Sequence, residues 1–206
     1  MNFQTEKKEV AYFMQRLYEQ KLTTCSGGNI SFKIDDENIL ITPSQLDKAR
    51  LTASQIGIMS LDGKNHTPEL KPTMESGMHL SIYKKRPDVK AIVHAHPTYA
   101  TSFSVTDKKV NCKLTGEARF VIGEPAYTKY ALMGSEELAG IVSEATLNAN
   151  VVVMKNHGAL AVGETLLQAF DRLEVFEASA KITLISGLLG EHNNLSPEEL
   201  KAIDDL

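Results

Sequence analysis

The sequence has few cysteines, no long apolar run and no excess of positive charge. Only two of its 206 residues are cysteines, Cys25 and Cys112, and they form neither a CxxC pair nor a disulfide framework. No stretch approaches the roughly 18 consecutive apolar residues of a transmembrane helix, and the charged N-terminus lacks a signal-peptide core. The formal net charge of −4 gives no electrostatic reason to expect nucleic acid or an anionic membrane as a partner. We therefore expect a cytoplasmic protein with free thiols.

The composition is that of an ordinary globular domain. Hydrophobic residues make up 42% of the chain and charged residues 23%, which excludes intrinsic disorder, collagen-like repeats and a coiled-coil rod. A chain of this length can bury a substantial core. Because no linker, internal repeat or low-complexity segment interrupts it, we expect one domain over residues 1–206.

The spacing of apolar residues predicts helices and strands that alternate irregularly. The predicted helices cover 6–21, 74–86, 135–149 and 164–189, with a last short helix from Ser196. The predicted strands cover 30–34, 39–42, 56–61, 89–96, 151–155 and 159–162, and a loop is expected around 105–118. Hairpin signals in the first half favour an α/β fold with an antiparallel or mixed sheet covered by helices on both faces.

Three of the six histidines lie on predicted strands or at their ends. His94 and His96 are two residues apart on one strand, so both side chains leave the same face with Cα atoms about 6 to 7 Å apart. Such a pair can bind one metal ion, although strand histidines are more often ordinary hydrogen-bonded residues. His157 follows another apolar strand and precedes Gly158, at a turn that can aim its ring into a cleft. A site of three histidines with an open coordination position is typical of catalytic zinc.

Glu75 lies near the predicted start of a helix, where two interpretations remain open. An acidic side chain there stabilises the helix N-terminus, and it could equally join a metal site formed by the histidines. His79 follows one helical turn later as a rival ligand, but we favour a supporting or packing role for it. His66 and His192 are expected to face solvent.

A glycine-rich turn and scattered hydroxyl groups provide candidate anion ligands. The run Ser26-Gly27-Gly28-Asn29 can present backbone N–H groups and an amide to an anion. It matches neither the Walker loop nor the GxGxxG fingerprint, so by itself it is more simply a turn. Ser44 and Thr73 would contribute to a pocket only if the fold brings them to the same place.

Five segments, in this order, resemble the class II aldolase/adducin family. They are Ser26-Gly27-Gly28-Asn29-Ile30-Ser31, Ile41-Thr42-Pro43-Ser44, Lys71-Pro72-Thr73-Met74-Glu75 with Met78-His79, the run from Arg86 to Pro97, and Asn156-His157-Gly158. The resemblance implies a three-layer α/β/α sandwich around a mostly antiparallel central sheet. It also implies a homotetramer with active sites at the subunit interfaces.

The resemblance further implies a zinc-dependent lyase. Its expected substrate is a phosphorylated ketose similar to L-fuculose 1-phosphate, which it would cleave to dihydroxyacetone phosphate and an aldehyde through a metal-stabilised enediolate. By position, His94, His96 and His157 match the zinc ligands, with one Zn²⁺ per subunit. Glu75 matches the residue that both ligates the metal and moves the proton.

The phosphate-binding segments of the family match Gly28, Asn29, Ser44 and Thr73. The sequence departs from the family at Gln45, where glycine is usual, and at Met74, where a serine is usual. The segment 113–120, in which the fuculose-phosphate enzymes place a tyrosine, contains none.

Other functions are compatible with the same residues. An epimerase, a decarboxylase or a dehydratase acting on a related sugar phosphate would need the same metal site. A non-catalytic interaction module of the adducin type is the alternative from a different class. Retention of the three histidines and Glu75 favours an enzyme.

Overall fold

A computed structural model describes residues 3–206 of the chain. Within that range seven α-helices flank one seven-stranded sheet. The strands are β1 (Asn29–Lys33), β2 (Asn38–Ile41), β3 (Gly57–Ser60), β4 (Ala91–Ala95), β5 (Ala126–Thr128), β6 (Val151–Met154) and β7 (Gly158–Gly163). The helices are α1 (Gln4–Glu19), α2 (Ser76–Lys85), α3 (Thr98–Ser104), α4 (Gly116–Ile122), α5 (Glu136–Ala145), α6 (Leu166–Leu189) and α7 (Pro197–Asp204).

The sheet has the strand order β3-β2-β1-β4-β7-β6-β5. Neighbouring strands are antiparallel except for β5 and β6, which are parallel. The predicted α/β fold with a mostly antiparallel central sheet is therefore confirmed. Strands β1, β4 and β7 form its centre, where the chain positions its candidate site.

Successive residues of each central strand contact opposite layers of helices, because side chains alternate across a pleated strand. On β4, Ala91 and Val93 contribute to the core that also contains residues of α1 and α6, whereas Ile92 contributes to the core shared with α2 and α5. By the same alternation His94 faces the layer of α2. On the neighbouring strand β1, Asn29 and Ser31 face that layer as well, and Asn29 lies directly opposite His94.

The predicted helix starts agree with the structure where a capping side chain marks them. Ser135, Thr165 and Ser196 are the N-cap residues of α5, α6 and α7, and each side chain accepts a backbone hydrogen bond from the first turn. Ser196 and Glu199 form a reciprocal capping box. Local chemistry thus determines where these three helices begin.

Three short elements were absent from the sequence prediction. Helix α3 was not predicted, α4 begins inside the segment expected to be a loop, and the three-residue strand β5 was missed. In the first turn of α3 the amide groups of Tyr99 and Ala100 donate to the carboxylate of Glu177 on α6 at 2.9 and 2.7 Å. That acceptor comes from a residue distant in sequence, so no local pattern indicates the helix.

Two expectations from composition are met within residues 3–206. Cys25 is exposed and Cys112 is buried, and both are free thiols. In the same range, no helix combines the length and the apolar character needed to cross a bilayer.

Candidate metal centre

Three histidines meet at one end of the central strands. One ring nitrogen from each of His94, His96 and His157 lies within 4.8 Å of the other two. His94 is on β4, His96 follows that strand, and His157 lies in the tight turn between β6 and β7. Because β7 pairs with β4, with Ala159 opposite Ala95, this turn is brought alongside His96.

Gly158 makes this close approach sterically feasible. A Cβ atom at that position would lie 2.6 Å from the carbonyl oxygen of Ala95 and 2.6 Å from Cδ2 of His96. Only a residue without a side chain fits here. The glycine that follows His157 therefore serves the packing of the turn against β4.

The backbone determines which nitrogen of His94 faces the cluster. Its Nδ1 lies 2.9 Å from the carbonyl oxygen of Ala159, which can only accept, so Nδ1 carries the proton. In the neutral ring, Nε2 then carries a lone pair directed towards the other histidines. A backbone carbonyl that orients the ring in this way is a common support for a metal-ligating histidine.

Glu75 closes the cluster. Its Oε2 lies 3.2 Å from Nε2 of His94, and its Oε1 lies 3.2 Å from Nε2 of His157. The residue is the N-cap of α2, yet its side chain makes no capping hydrogen bond. The carboxylate instead accepts a hydrogen bond of 2.8 Å from Nδ2 of Asn29. The structure thus places Glu75 with the histidines and gives it no helix-capping bond.

The donor atoms of this cluster fit a divalent cation. Nε2 of all three histidines and Oε1 of Glu75 are buried and have no hydrogen-bond partner. Buried polar atoms without hydrogen-bond partners are costly, and a cation bound among these four atoms would offset that cost. Three imidazoles and a carboxylate are a donor set that suits zinc.

Electrostatics favour neutral His96 and His157 rings and an ionised Glu75, which are the protonation states that bind a cation. Burial, together with the charge of His94, lowers the pKa of His96 to about 3 and that of His157 to about 4. Burial opposes ionisation of Glu75, but attraction to His94 and His157 and the bond from Asn29 outweigh it and lower the pKa of the carboxyl group. Burial opposes protonation of His94 as well, but attraction to Glu75 outweighs it and raises the pKa of this imidazole. At neutral pH His96 and His157 therefore have free lone pairs beside the Glu75 carboxylate.

A cavity of about 230 Å³ opens onto this cluster. Glu75, His96 and His157 line this cavity. The four residues predicted to bind phosphate line it as well: Gly28, Asn29, Ser44 and Thr73. The amide Nδ2 of Asn29 lies 3.2 Å from Oγ1 of Thr73, which ties two of these segments together. The fold thus brings polar groups from distant parts of the sequence, Ser44 and Thr73 among them, to the same cavity.

The remaining histidines are outside the cluster. His79 is fully buried beneath it, bonded to Ser31 and Asn29, and burial lowers its pKa to about 3. His66 is exposed as expected, whereas His192 is only partly exposed, next to Gly187. His79 therefore contacts Asn29 and Ser31 next to the cluster and does not belong to it.

Gln45 adopts a left-handed backbone conformation, with a φ of 61°. A residue with a Cβ atom is strained there by roughly 1–2 kcal/mol, whereas glycine is not. We expect Gln45→Gly to raise the free energy of unfolding by about 1 kcal/mol. Urea denaturation would measure this, with Gln20→Gly as the control, since Gln20 has an ordinary φ of −83°. An unchanged or lower stability for Gln45→Gly would contradict the expected strain.

Sequence reasoning missed Lys48, which lies in the wall of the cavity. Its side chain is 1% exposed, and Nζ donates to the carbonyl oxygen of Pro43 at 2.6 Å. Within residues 3–206 no carboxylate lies within 4 Å of this ammonium group. Burial lowers the pKa of Lys48 to about 8. No sequence pattern distinguishes this lysine from the solvated ones.

Comparisons with known proteins agree with this architecture. The sequence profile of the class II aldolase and adducin N-terminal domain matches residues 8–184. An L-fuculose phosphate aldolase of Methanococcus vannielii is 38% identical over 178 residues, covering 86% of this chain and 95% of the relative. A 3-oxo-tetronate 4-phosphate decarboxylase of Haemophilus influenzae is 31% identical and covers 86% of both chains. A solved L-fuculose 1-phosphate aldolase superposes with a TM-score of 0.89 at 33% identity, covering 97% of this chain and 94% of the other.

Proposed function

The chain belongs to the class II aldolase and adducin family, and on that basis we propose that it is a zinc-dependent lyase that cleaves a phosphorylated ketose. The observation that carries the proposal is the convergence, beside a cavity, of three imidazole nitrogens and the carboxylate oxygen Oε1 of Glu75, all buried and without a hydrogen-bond partner. By likeness to the fuculose phosphate aldolases, the substrate resembles L-fuculose 1-phosphate. Its products would be dihydroxyacetone phosphate and an aldehyde.

Zn²⁺, one per chain, is the cation that we propose for the cluster. His94, His96 and His157 would hold it, with Glu75 as a fourth ligand in the absence of substrate. When bound, the ion supplies Lewis-acid chemistry, which lowers the energy of negative charge developing on the carbonyl oxygen of the substrate.

Glu75 is placed to move the proton that the reaction requires. Retro-aldol cleavage breaks the bond between the carbinol carbon and the carbon next to the carbonyl group. The carbinol hydroxyl loses its proton and becomes an aldehyde, while the other carbon keeps the electron pair and must gain a proton. An ionised Glu75 can accept the first proton and return one to that carbon, so protons and electrons balance.

Lys48 supports a substrate that carries an anionic group. A buried ammonium group without an acidic partner is unfavourable by itself, and an anion in the adjoining cavity would offset that cost. Gly28, Ser44 and Thr73 supply further N–H and hydroxyl groups around the same space, and Asn29 lines it with an amide whose Nδ2 contacts Glu75 and Thr73. The backbone N–H of Gln45 is retained despite the replacement of glycine. We infer that the phosphate group of the substrate binds in this part of the cavity.

Replacing Lys48 with methionine should weaken binding of the phosphorylated substrate and stabilise the fold. We expect the KM for L-fuculose 1-phosphate to rise by about 10- to 100-fold, from the loss of one charged partner. Below pH 8 we also expect a free energy of unfolding about 1–3 kcal/mol higher, because the variant buries no charge.

This gain in stability should depend on pH in a defined direction. The folded-state pKa of about 8 lies below the ordinary value of 10.5, so the unfolded chain binds more protons between these two values. Wild-type stability therefore rises from pH 8 to 10.5, and the advantage of the variant shrinks over that range. Steady-state kinetics and urea titration measure both effects, with the exposed Lys64→Met as the control. An unchanged KM would rule out the role of Lys48 in binding the anion.

Decarboxylation is a second candidate reaction, favoured by the 31% identity to the 3-oxo-tetronate 4-phosphate decarboxylase. It would use the same cluster, since loss of carbon dioxide from a 3-oxo acid also leaves negative charge next to a carbonyl group. Product analysis on paired ketose phosphates and 3-oxo acid phosphates separates the two reactions. Release of an aldehyde supports the lyase, and release of carbon dioxide supports the decarboxylase.

We also propose the homotetramer that the family resemblance implies, with active sites at the subunit interfaces. The exposed apolar side chains of Met74 and Met133, both in the cavity lining, are consistent with a covering subunit. The described cavity lining contains no tyrosine. A residue from a neighbouring subunit would complete such a pocket.

A further inference from the structure

A chain of hydrogen bonds runs beneath the cluster from α2 to the carboxylate of Glu75. The hydroxyl of Tyr83 lies 2.8 Å from Oγ of Ser31, which lies 2.6 Å from Nδ1 of His79. Nε2 of His79 lies 2.6 Å from Oδ1 of Asn29, whose Nδ2 donates to Glu75 at 2.8 Å. His79 and Ser31 are fully buried, and Tyr83 and Asn29 are 3% exposed. The proposed reaction assigns no role to Tyr83, Ser31 or His79.

This chain of hydrogen bonds forms because α2 and β1 lie side by side and their facing residues are spaced by nearly the same distance. Glu75, His79 and Tyr83 are four residues apart, so they share one face of the helical segment and rise by about 6 Å per step. Asn29 and Ser31 are two residues apart on β1, a rise of about 6.6 Å on one face of the sheet. Helix residues and strand residues therefore alternate along the contact, and each polar group meets the next.

The direction of every hydrogen bond follows from the ionised carboxylate. Glu75 can only accept, so Asn29 must turn its NH₂ group towards it and its carbonyl oxygen Oδ1 towards His79. Nε2 of His79 must then donate. Deep burial without a bonded carboxylate keeps the imidazole neutral, so Nδ1 is an acceptor and receives the proton of Ser31. Because the Ser31 proton goes to His79, the 2.8 Å contact requires Tyr83 to donate to Ser31 rather than to the carbonyl oxygen of Lys90 at 3.3 Å. All donors then point towards Glu75.

We propose that His79 is a positioning residue, whose Nε2–H holds the Asn29 amide with its NH₂ group on the Glu75 carboxylate. An asparagine amide can rotate by half a turn, and the rotated form would set its carbonyl oxygen against the carboxylate. His79 excludes that form, because its Nε2–H needs an acceptor. The orientation of the carboxylate is thereby fixed before substrate binds. This inference rests on the proposed function of Glu75 in proton transfer.

Two substitutions of His79 separate positioning from simple packing. In His79→Gln the side-chain NH₂ group can take the place of Nε2–H and donate to Asn29. In His79→Asn the shorter side chain reaches the place of Nδ1 near Ser31 and leaves Asn29 without a donor. Both replace a buried ring with a smaller amide, so their losses of packing are similar. They differ in the one hydrogen bond that the proposal concerns.

We expect kcat for L-fuculose 1-phosphate to fall by about 10- to 100-fold in His79→Asn, with KM and zinc content per chain unchanged. We expect His79→Gln to stay within about threefold of the wild-type kcat. Thermal denaturation should give similar Tm values for the two variants. Equal losses of kcat in both variants, in proportion to their Tm, would overturn the positioning role.

A readout on the wild-type protein tests the same point without turnover. Long-range ¹H–¹⁵N correlation spectra of the metal-free protein should show His79 with its proton on Nε2. An unprotonated Nε2 would overturn the inference whether or not either variant folds. A failure of the proposed function would look different: Glu75→Gln would then turn over substrate normally while the Nε2 proton of His79 remained in place.

Discussion

Glu75→Gln should abolish cleavage, lowering kcat by about 10²- to 10⁴-fold, while the protein keeps its fold and its metal. Glutamine has nearly the shape of glutamate and can still accept the bond from Asn29, but it cannot accept and return a proton. The remaining ligands are three histidine nitrogens, which suffice to hold a divalent ion. Loss of activity with unchanged metal content would therefore identify proton transfer as the function of this carboxylate.

The measurement combines steady-state kinetics with metal analysis by emission spectrometry and a thermal melt. Glu69→Gln is the matched control, because Glu69 is exposed on the loop before α2 and lies outside the cavity lining. Wild-type activity in Glu75→Gln would contradict the role proposed for this carboxylate. Loss of metal together with activity would assign Glu75 to metal binding instead.

His96→Asn should remove both metal binding and activity. Substitution of groups that only orient a ligand lowers metal affinity by about 10- to 100-fold, so loss of a ligand should cost more than about 100-fold. Zinc should also stabilise the wild-type fold, by about 2.7 kcal/mol at a free concentration of 100 times its Kd. That stabilisation should be absent from His96→Asn, since the metal then no longer favours the folded state.

Isothermal titration with zinc and thermal melts with and without the metal test this expectation. His66→Asn is the control, because His66 is exposed, follows β3 and lies outside the cavity lining. Unchanged zinc affinity in His96→Asn would exclude His96 as a ligand. A wild-type protein that folds but binds no zinc would favour the non-catalytic interaction module over the enzyme.

The sequence was most informative where one local rule applies. Two histidines at a spacing of two on an apolar strand are expected to leave the same face of a sheet; in the structure His94 lies on β4, His96 directly follows it, and both rings reach the same cluster. The N-cap signature at Ser196 predicted the start of α7 for the same reason. Such features depend on neighbours within four residues, so they are encoded in short segments.

The sequence was least informative where a partner comes from a distant segment. Glu75 could have capped α2 or joined the histidines, and only the position of α2 against β1 and β4 decides between them. Helix α3 depends on an acceptor from Glu177, and the burial of Lys48 depends on how its loop lies against Pro43. None of these contacts leaves a pattern in the residues around it.

The sequence by itself determined the class of fold, the family and the residue types available for chemistry, because apolar periodicity, turn residues and motif order are local properties. The tertiary structure decided which of those residues act together. Pairing of β4 with β1 and β7 brings His94, Asn29 and the His157 turn to one end of the central strands. Helix α2 and its N-cap add Glu75 and His79 at the same place. The physical reason is that burial and charge depend on contacts between distant segments: the unpartnered atoms of the cluster, the uncompensated ammonium group of Lys48 and the hydrogen-bond chain through His79 exist only once the sheet has formed.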